Sequence, residues 1–324
     1  MKTPRRILIS PLDWGLGHAS RIIPIINRLL EQGDNVIIAA SGLSLNLLQQ
    51  HFPQLKSIEI PSFKMKYSAG KSQVWAVIKA FPKLIYYSIK EHQALKRIVE
   101  EENIDFIISD NRFGLYHKRV SSAYITHQLM IKLPKEWSFL EPFVACVHRS
   151  IINRFTECWV PDFASLDKSL AGELSHPSKM PRNVKYIGIL SRFSKRCTPY
   201  GRETITPNLA LAILSGAEPQ RTMLEKELLM SLQEDQHEDI ILVQGKIEAE
   251  QKVSKVGKIT VYNYMNTEQL QEHILKANEI ICRSGYSSIM DLYALGKLKN
   301  ATLIPTPGQS EQEYLAEYIS NHIK

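Results

Sequence analysis

Short, uninterrupted apolar runs alternate with segments of helical period along most of the chain. Arg5–Ser10 reads as a first strand. Ser20–Gln32 follows with Ile22, Ile23, Ile25, Ile26, Leu29 and Leu30 on a broad apolar stripe, ended by Gly33. Asn35–Ala40 is a second strand, and Ser57–Ile60 a third after an intervening helix. A long helical stretch leads to strands at Ile104–Ser109 and Ser122–Thr126. A second alternation starts with the strand Leu209–Leu214, the helix Gln220–Leu232 and the strands Ile240–Val243 and Lys258–Val261. It continues with the helix Thr267–Lys276, the strand Glu279–Cys282, the helix Tyr286–Leu295, the strand Ala301–Ile304 and the helix Glu311–Ile319. Strands that are apolar on both faces and separated by helices predict parallel sheets covered on both sides. Between the two series, 178–208 is broken by Pro181, Pro199, Gly201 and Pro207 and reads as an interdomain connection. The expected fold is α/β, with two doubly wound, Rossmann-like parallel-sheet domains facing across a cleft. The domains are placed at 1–193 and 209–324, with a linker over 194–208.

The length of 324 residues agrees with two domains, and 44% hydrophobic with 23% charged residues excludes a disordered or collagenous chain. Charge divides the chain. Residues 1–200 hold 28 basic and 16 acidic side chains, and 201–324 hold 12 and 17. The two domains are therefore expected to face different partners. Behind Lys2, Arg5 and Arg6 only Ile7–Ile9 is apolar before Ser10, against the roughly 7–15 residues a signal peptide needs. No apolar run reaches the roughly 18 residues of a membrane span. Cys146, Cys158, Cys197 and Cys282 form no metal-spaced pair and read as buried thiols in a reducing compartment, the cytoplasm. There is no DxD, no GxSxG and no P-loop. No metal and no cofactor is expected.

In doubly wound sheets, ligands sit beyond the carboxyl ends of the strands, so the residues following each strand carry the chemistry. After the first strand comes Gly15-Leu16-Gly17-His18, with Arg21 three residues on. Two glycines admit a ligand to the backbone, and a histidine at a helix start can take a proton from a hydroxyl near neutral pH. The other reading is a flexible turn with a surface histidine. Asp110 and His127 follow later strands of the same domain. In the second half, Ser215-Gly216 and Arg283-Ser284-Gly285 follow strands, and their N–H groups suit a diphosphate. Arg283 is either a diphosphate contact or a structural ion-pair partner. Asp291, six residues past Gly285, is either a ribose-binding carboxylate or a solvated helix charge. Gln309, Gln312 and Glu313 crowd a helix start in TPGQSEQE; they pair with sugar hydroxyls, or Ser310 and Glu313 form a capping box.

These motifs resemble the GT-B glycosyltransferases. They are most similar to the family, glycosyltransferase family 28-like, of the N-acetylglucosaminyltransferase that completes the lipid-linked peptidoglycan precursor. The stretch MNTEQLQEHILKANEIICRSGYSSIMDLYALGK, followed by TLIPTPGQSEQEYLAEYI, carries most of the resemblance, and GLGHASR adds a shorter match. The resemblance implies an inverting, metal-independent transfer of a hexosyl group, N-acetylhexosamine or hexose, from a UDP-linked sugar to an acceptor hydroxyl, the expected acceptor being a glycan, lipid-linked or small molecule. It makes His18 a candidate base or acceptor-site residue. Asp110, which also ends a strand on the cleft side, is the expected back-up base, and Gly15, Gly17, Arg21 and His127 are expected on the acceptor side. It places the ribose on Asp291, where the family has glutamate, and the donor sugar on Gln312 and Glu313, where the family has two glutamines. Ser215-Gly216 departs by one residue from the family's Ser-Gln-Gly. GT-B enzymes commonly carry a further strand and helices beyond this motif, so the chain is either a minimal member or incomplete. The alternatives are a nucleotide-sugar hydrolase or epimerase of the same fold, whose loops GxGHxxR also resembles, and a non-catalytic nucleotide-sugar-binding protein.

Between Lys64 and Arg97 lie Lys64, Lys66, Lys71, Lys79, Lys83, Lys90, Lys96 and Arg97 with one acid, Glu91, and with Trp75, Phe81, Tyr86 and Tyr87 interleaved. Such a helix suits an anionic membrane surface, so a peripheral contact with the cytoplasmic face is expected through 64–97. The alternative is a solvated helix whose aromatics pack in the core. No nucleic-acid-binding motif supports a nucleic acid as partner.

Overall fold

A computed structural model describes residues 3–63, 74–193, 208–246, 248 and 250–323, with side chains of the long third helix described from Pro82 onward. The chain forms two compact units, the first ending at Leu190 and the second beginning at Ser191. Most of the expected linker, 194–208, lies outside the described residues, as do the side chains of Lys64, Lys66, Lys71, Trp75, Lys79, Phe81 and Cys197.

The first unit contains β1 (Arg6–Pro11), α1 (Leu16–Glu31), β2 (Asn35–Ala40), α2 (Gly42–His51), β3 (Lys56–Glu59), α3 (Val74–Glu102), β4 (Phe106–Asp110), β5 (Ser121–Ile125), α4 (Glu141–Ile152), β6 (Glu157–Val160) and β7 (Val184–Tyr186). The seven strands pair in the order β3-β2-β1-β4-β5-β6-β7, every pair parallel. Side chains alternate across the sheet. Ile7 and Ile9 of β1 enter one core with Ile22 and Ile26 of α1, while Leu8 enters another with Leu95, Ile98 and Val99 of α3. Both faces are thus buried, and this is why the strands read as continuous apolar runs. The strand order reverses between β1 and β4, and their register sets Pro11 beside Asp110 at the carboxyl edge.

The second unit contains β8 (Leu209–Ile213), α5 (Gln220–Ser231), β9 (Asp239–Val243), β10 (Val253–Val256), β11 (Ile259–Tyr262), α6 (Thr267–Lys276), β12 (Glu279–Arg283), α7 (Tyr286–Ala294), β13 (Ala301–Ile304) and α8 (Ser310–His322). Its order is β10-β11-β9-β8-β12-β13, reversing between β8 and β12. All pairs are parallel except the edge hairpin β10–β11, turned at Gly257 with φ +59°.

Several expectations change. Helix α1 starts at Leu16, four residues before the periodic stripe, because Gly15 at φ 148° makes the turn. The stretch read as linker from 178 begins too early, since Val184–Tyr186 is the seventh strand of the first sheet. Cys158 and Cys282 are buried, but Cys146 is exposed on α4, so the expectation of four buried thiols fails there. Burial pushes the Cys158 thiol up to about 12. Among the described residues, no helix is long and apolar enough to cross a membrane.

Candidate active site

The first group of residues sits where the strand order of the first unit reverses, the position at which doubly wound sheets bind ligands. Because α1 begins at Leu16, His18 and Arg21 are one turn apart on one face of its amino-terminal end, and both meet Asp110 at the end of β4. His18 Nδ1 lies 3.1 Å from Asp110 Oδ1. Arg21 Nε donates to Asp110 Oδ2 at 2.8 Å and its Nη2 donates to Oδ1. Asp110 is completely buried and Arg21 is 3% exposed, whereas the His18 side chain keeps 19% of its surface. Burial alone would push the Asp110 carboxyl up. The Arg21 guanidinium, helped by His18, outweighs it and holds the pKa down at about 2.

An ionised carboxylate only accepts hydrogen bonds, so a proton on His18 Nδ1 is donated to Asp110. Arg21 Nη2 carries two protons and lies 2.9 Å from the same nitrogen, to which it donates in the other tautomer. With the proton on Nδ1, Nε2 is the basic nitrogen of a partly exposed ring. The expectation that Asp110 is a back-up base fails on this geometry: a fully buried carboxylate held near 2 by a guanidinium takes no proton from a substrate. His127 is buried beyond β5, where the Thr126 hydroxyl accepts from the Gln128 N–H at 3.1 Å.

Arg112, passed over in reading the sequence for chemistry, braces this corner. It is 1% exposed, donates to Glu91 Oε1 at 3.0 Å and to the Pro11 carbonyl at 3.4 Å, and also donates to the Pro61 carbonyl. Glu91 is therefore a buried partner of Arg112 and contributes no acid to the surface of α3. Gly114 permits this approach, since a Cβ there would lie 2.2 Å from the Ser88 carbonyl oxygen.

The second group sits at the reversal point of the second sheet. Ser215 and Gly216 follow β8, with Gly216 at φ +101°. Gly245, after β9, packs against this turn: a Cβ would stand 2.4 Å from the Leu214 carbonyl oxygen. Ser284 is buried and its hydroxyl donates to the Gln312 carbonyl at 2.8 Å. Gly285 opens α7 with no side-chain cap.

Arg283 is not so available. It is 4% exposed, and its guanidinium donates to the carbonyls of Pro305 at 2.8 Å and Gln220 at 3.0 Å. The expected diphosphate contact is instead a brace between the loop after β13 and the start of α5, and no ion pair of Arg283 occurs among the described residues. Asp291 is buried rather than a solvated charge. Its Oδ1 accepts from the Ser191 hydroxyl at 2.6 Å and its Oδ2 lies 3.4 Å from Arg192 Nε. Burial raises its pKa, opposed by Arg192 and Ser191. Arg192 lay in the stretch read as connection, so nothing in the local sequence marked it as a partner of a carboxylate 99 positions away.

Gln309, Gln312 and Glu313 are brought together. Gln312 accepts from the Thr306 N–H at 2.9 Å and donates to Gln309 Oε1 at 2.7 Å; Glu313 accepts from the Gly308 N–H at 3.1 Å. The capping box expected of Ser310 and Glu313 does not form, because Gln309 is the N-cap residue and no side chain caps the helix.

Residues 213–324 match the glycosyltransferase family 28 C-terminal domain. Among solved structures, a UDP-glucosyltransferase from Polygonum tinctorium capable of glucosylating indoxyl is 13% identical, covering 100% of this chain and 84% of that one at a TM-score of 0.62. MurG from Acinetobacter baumannii is 13% identical over 98% and 84%, with a TM-score of 0.55. A putative UDP-N-acetylglucosamine 2-epimerase from Listeria monocytogenes is 12% identical over 99% and 88%, with a TM-score of 0.55. No curated protein matches the sequence. The chain has the GT-B fold, and its second unit carries the family 28 type of C-terminal domain.

Proposed function

We propose that this protein is a glycosyltransferase that moves a hexosyl group, N-acetylhexosamine or hexose, from a UDP-linked sugar to an acceptor hydroxyl with inversion and without a metal ion. The observation that carries the proposal is the His18–Asp110–Arg21 cluster at the reversal point of the first sheet, in a chain whose other sheet belongs to a glycosyltransferase domain. His18 Nε2 takes the acceptor proton as the oxygen attacks the anomeric carbon and the nucleoside diphosphate leaves. Asp110 acts through the ring, fixing its tautomer and stabilising the imidazolium that forms, and Arg21 keeps Asp110 ionised. Gly15 and Gly17 give the acceptor room at the backbone, with His127 on the acceptor side.

In the proposed division of labour, residues 1–193 hold the acceptor and 209–324 the donor, joined by 194–208. The diphosphate rests on the N–H groups of Ser215, Gly216, Ser284 and Gly285. The ribose hydroxyls meet Asp291, displacing its bonds to Ser191 and Arg192, and the sugar meets Gln309, Gln312 and Glu313. The excess of acid in the second half means that these local dipoles, with Arg192, supply the attraction. The reading places the protein in the cytoplasm, acting in envelope glycan synthesis and touching the membrane through 64–97. In the described part of that stretch Ile85, Tyr86 and Ile89 are exposed beside Lys83 and Lys90, and Glu91 is withdrawn to Arg112.

A nucleotide-sugar epimerase or hydrolase is the second reading, favoured by the likeness to the Listeria monocytogenes protein. UDP release from UDP-N-acetylglucosamine and UDP-glucose, with and without a pool of neutral glycosides, separates the two. Acceptor-dependent release, reduced about 100- to 10,000-fold in His18→Ala, supports transfer through His18. Full activity of a folded His18→Ala protein removes His18 from the mechanism, and acceptor-independent release at undiminished rate favours hydrolysis.

A further inference from the structure

Among the described residues, Asp235, His237 and Glu279 form a group outside both sites above, each offering one ligand atom within 4.8 Å of the other two. None of them stood out in the sequence. Asp235 and His237 lie in the turn between α5 and β9, and Glu279 opens β12. Strands β9 and β12 flank β8, and their register sets Asp239 beside Leu209 and Glu279 beside Ala210. The group therefore stands over the start of β8, at the amino edge of the second sheet. The turns that follow the strands lie at the opposite edge, a strand of five residues or about 15 Å away.

The surroundings hold the three side chains. The backbone N–H of His237 donates to Asp235 Oδ1 at 2.8 Å, and the ring Nδ1 lies 2.5 Å from the same oxygen. The Thr302 hydroxyl donates to Glu279 Oε1 at 3.1 Å. The other Glu279 oxygen, Oε2, stands 4.0 Å from His237 Nε2. The His237 side chain is 20% exposed and that of Glu279 36%, so an ion and its waters can reach them.

This arrangement presents two acceptors to each other. A neutral imidazole carries one proton, and an ionised carboxylate can only accept it. With that proton donated from Nδ1 to Asp235, Nε2 turns a lone pair toward a carboxylate oxygen, at a distance too long for a hydrogen bond. A cation between them satisfies both. Zinc binds imidazole nitrogen at about 2.0–2.1 Å and carboxylate oxygen at about 2.0–2.2 Å, so a shared ion holds the two no more than about 4.3 Å apart. The observed 4.0 Å falls within that reach. A carboxylate on the other ring nitrogen is the partner that orients a metal-ligating histidine and makes it more basic. Lys258 does not supply the positive charge, because its ammonium donates to the backbone carbonyls of Asp235 and His237. Glu234, Glu238 and Asp239 add negative charge to the same stretch. An imidazole beside a carboxylate favours a transition-metal ion over magnesium or calcium, which prefer oxygen ligands alone.

We propose that His237 and Glu279 bind a divalent metal ion of the zinc type, with Asp235 orienting the imidazole and water filling the remaining positions. The ion ties the turn before β9 to the start of β12 across the entry of β8. It lies at the edge opposite the proposed donor site, takes no part in transfer and does not depend on the transferase reading.

The full-length protein is stripped with EDTA, dialysed and titrated with ZnCl2 by calorimetry at about pH 7.5, where an ordinary histidine is neutral. One equivalent of zinc binds with a dissociation constant of about 10–100 μM and raises the unfolding temperature, whereas MgCl2 and CaCl2 at the same concentration do neither. His237→Ala abolishes this binding, and Glu279→Gln and Asp235→Ala each weaken it about 10-fold or more. Glu279→Gln keeps an acceptor for Thr302, so it serves as the test if His237→Ala fails to fold. Cys146→Ser and His322→Ala, which remove an exposed thiol and an exposed imidazole elsewhere, leave zinc binding unchanged. Zinc binding weaker than about 1 mM, as a doubly protonated His237 bridging the two carboxylates would give, overturns the proposal. So does binding that Glu279→Gln and His237→Ala leave unchanged, that Cys146→Ser or His322→Ala abolishes, or that magnesium and calcium match.

Discussion

Replacing Asp110 by asparagine keeps the shape of the side chain and removes the charge on which the first cluster depends. Arg21 is 3% exposed and loses the carboxylate charge to which its guanidinium donates twice. Breaking a buried pair by removing one partner costs about 3–5 kcal/mol, because the remaining charge stays desolvated. The ionisation of Asp110 gives an independent magnitude. Its pKa falls from the ordinary 3.8 to about 2 on folding. At about 1.36 kcal/mol for each tenfold change in proton affinity, that contributes about 2 kcal/mol. Because the folded pKa is the lower one, this stability is present above about pH 4 and is lost as pH falls toward 2. All four tryptophans, Trp14, Trp75, Trp137 and Trp159, precede the end of the first unit at Leu190, so tryptophan fluorescence in urea reports on that unit. At pH 7 Asp110→Asn is expected to lose about 3–5 kcal/mol, and its stability between pH 4 and 2 to fall by about 2 kcal/mol less than that of the native chain. Adding Arg21→Met to Asp110→Asn restores part of the loss, since no charge is then left unpaired. A loss below about 1 kcal/mol at pH 7, or the same acid limb in both proteins, would refute the account of the cluster.

Other consequences are tested as directly. Asp291→Ala removes the proposed ribose acceptor, so UDP binding by calorimetry is expected to weaken about 10- to 100-fold and the preference for UDP over its 2′-deoxy analogue to vanish. Gly245→Ala forces a Cβ toward the Leu214 carbonyl at a backbone φ of +67°; thermal unfolding of the second unit should show a loss of about 1–3 kcal/mol. Arg283→Gln leaves the Pro305 and Gln220 carbonyls without their guanidinium and should destabilise the second unit by about 1–3 kcal/mol, read by amide exchange in β12 and β13, without changing the salt dependence of UDP binding.

The sheets were legible because strands buried on both faces leave an apolar run that no surface constraint interrupts. Asn35–Ala40 and Ala301–Ile304 coincide with β2 and β13 residue for residue. The short strands β6 and β7 were not read, since they are bounded by polar turns and have mixed exposure. The antiparallel β10 was missed because all four of its residues are exposed. In the candidate site, the turn after β1 was visible from its glycines and histidine. What the sequence could not show was distance in space. Nothing local tells that Asp110 lies against Arg21 or that Asp291 lies against Arg192, nor that Arg283 faces two carbonyls rather than solvent.

The central claim is that the second unit binds a nucleoside diphosphate sugar. Thermal unfolding of the full chain in saturating UDP, GDP, dTDP and CMP tests it most directly, because a ligand that binds only the folded state stabilises it by about 2.7 kcal/mol at one hundred times its dissociation constant. The account predicts a clear rise in unfolding temperature with UDP, larger than with the other three. No rise with any of the four would contradict it.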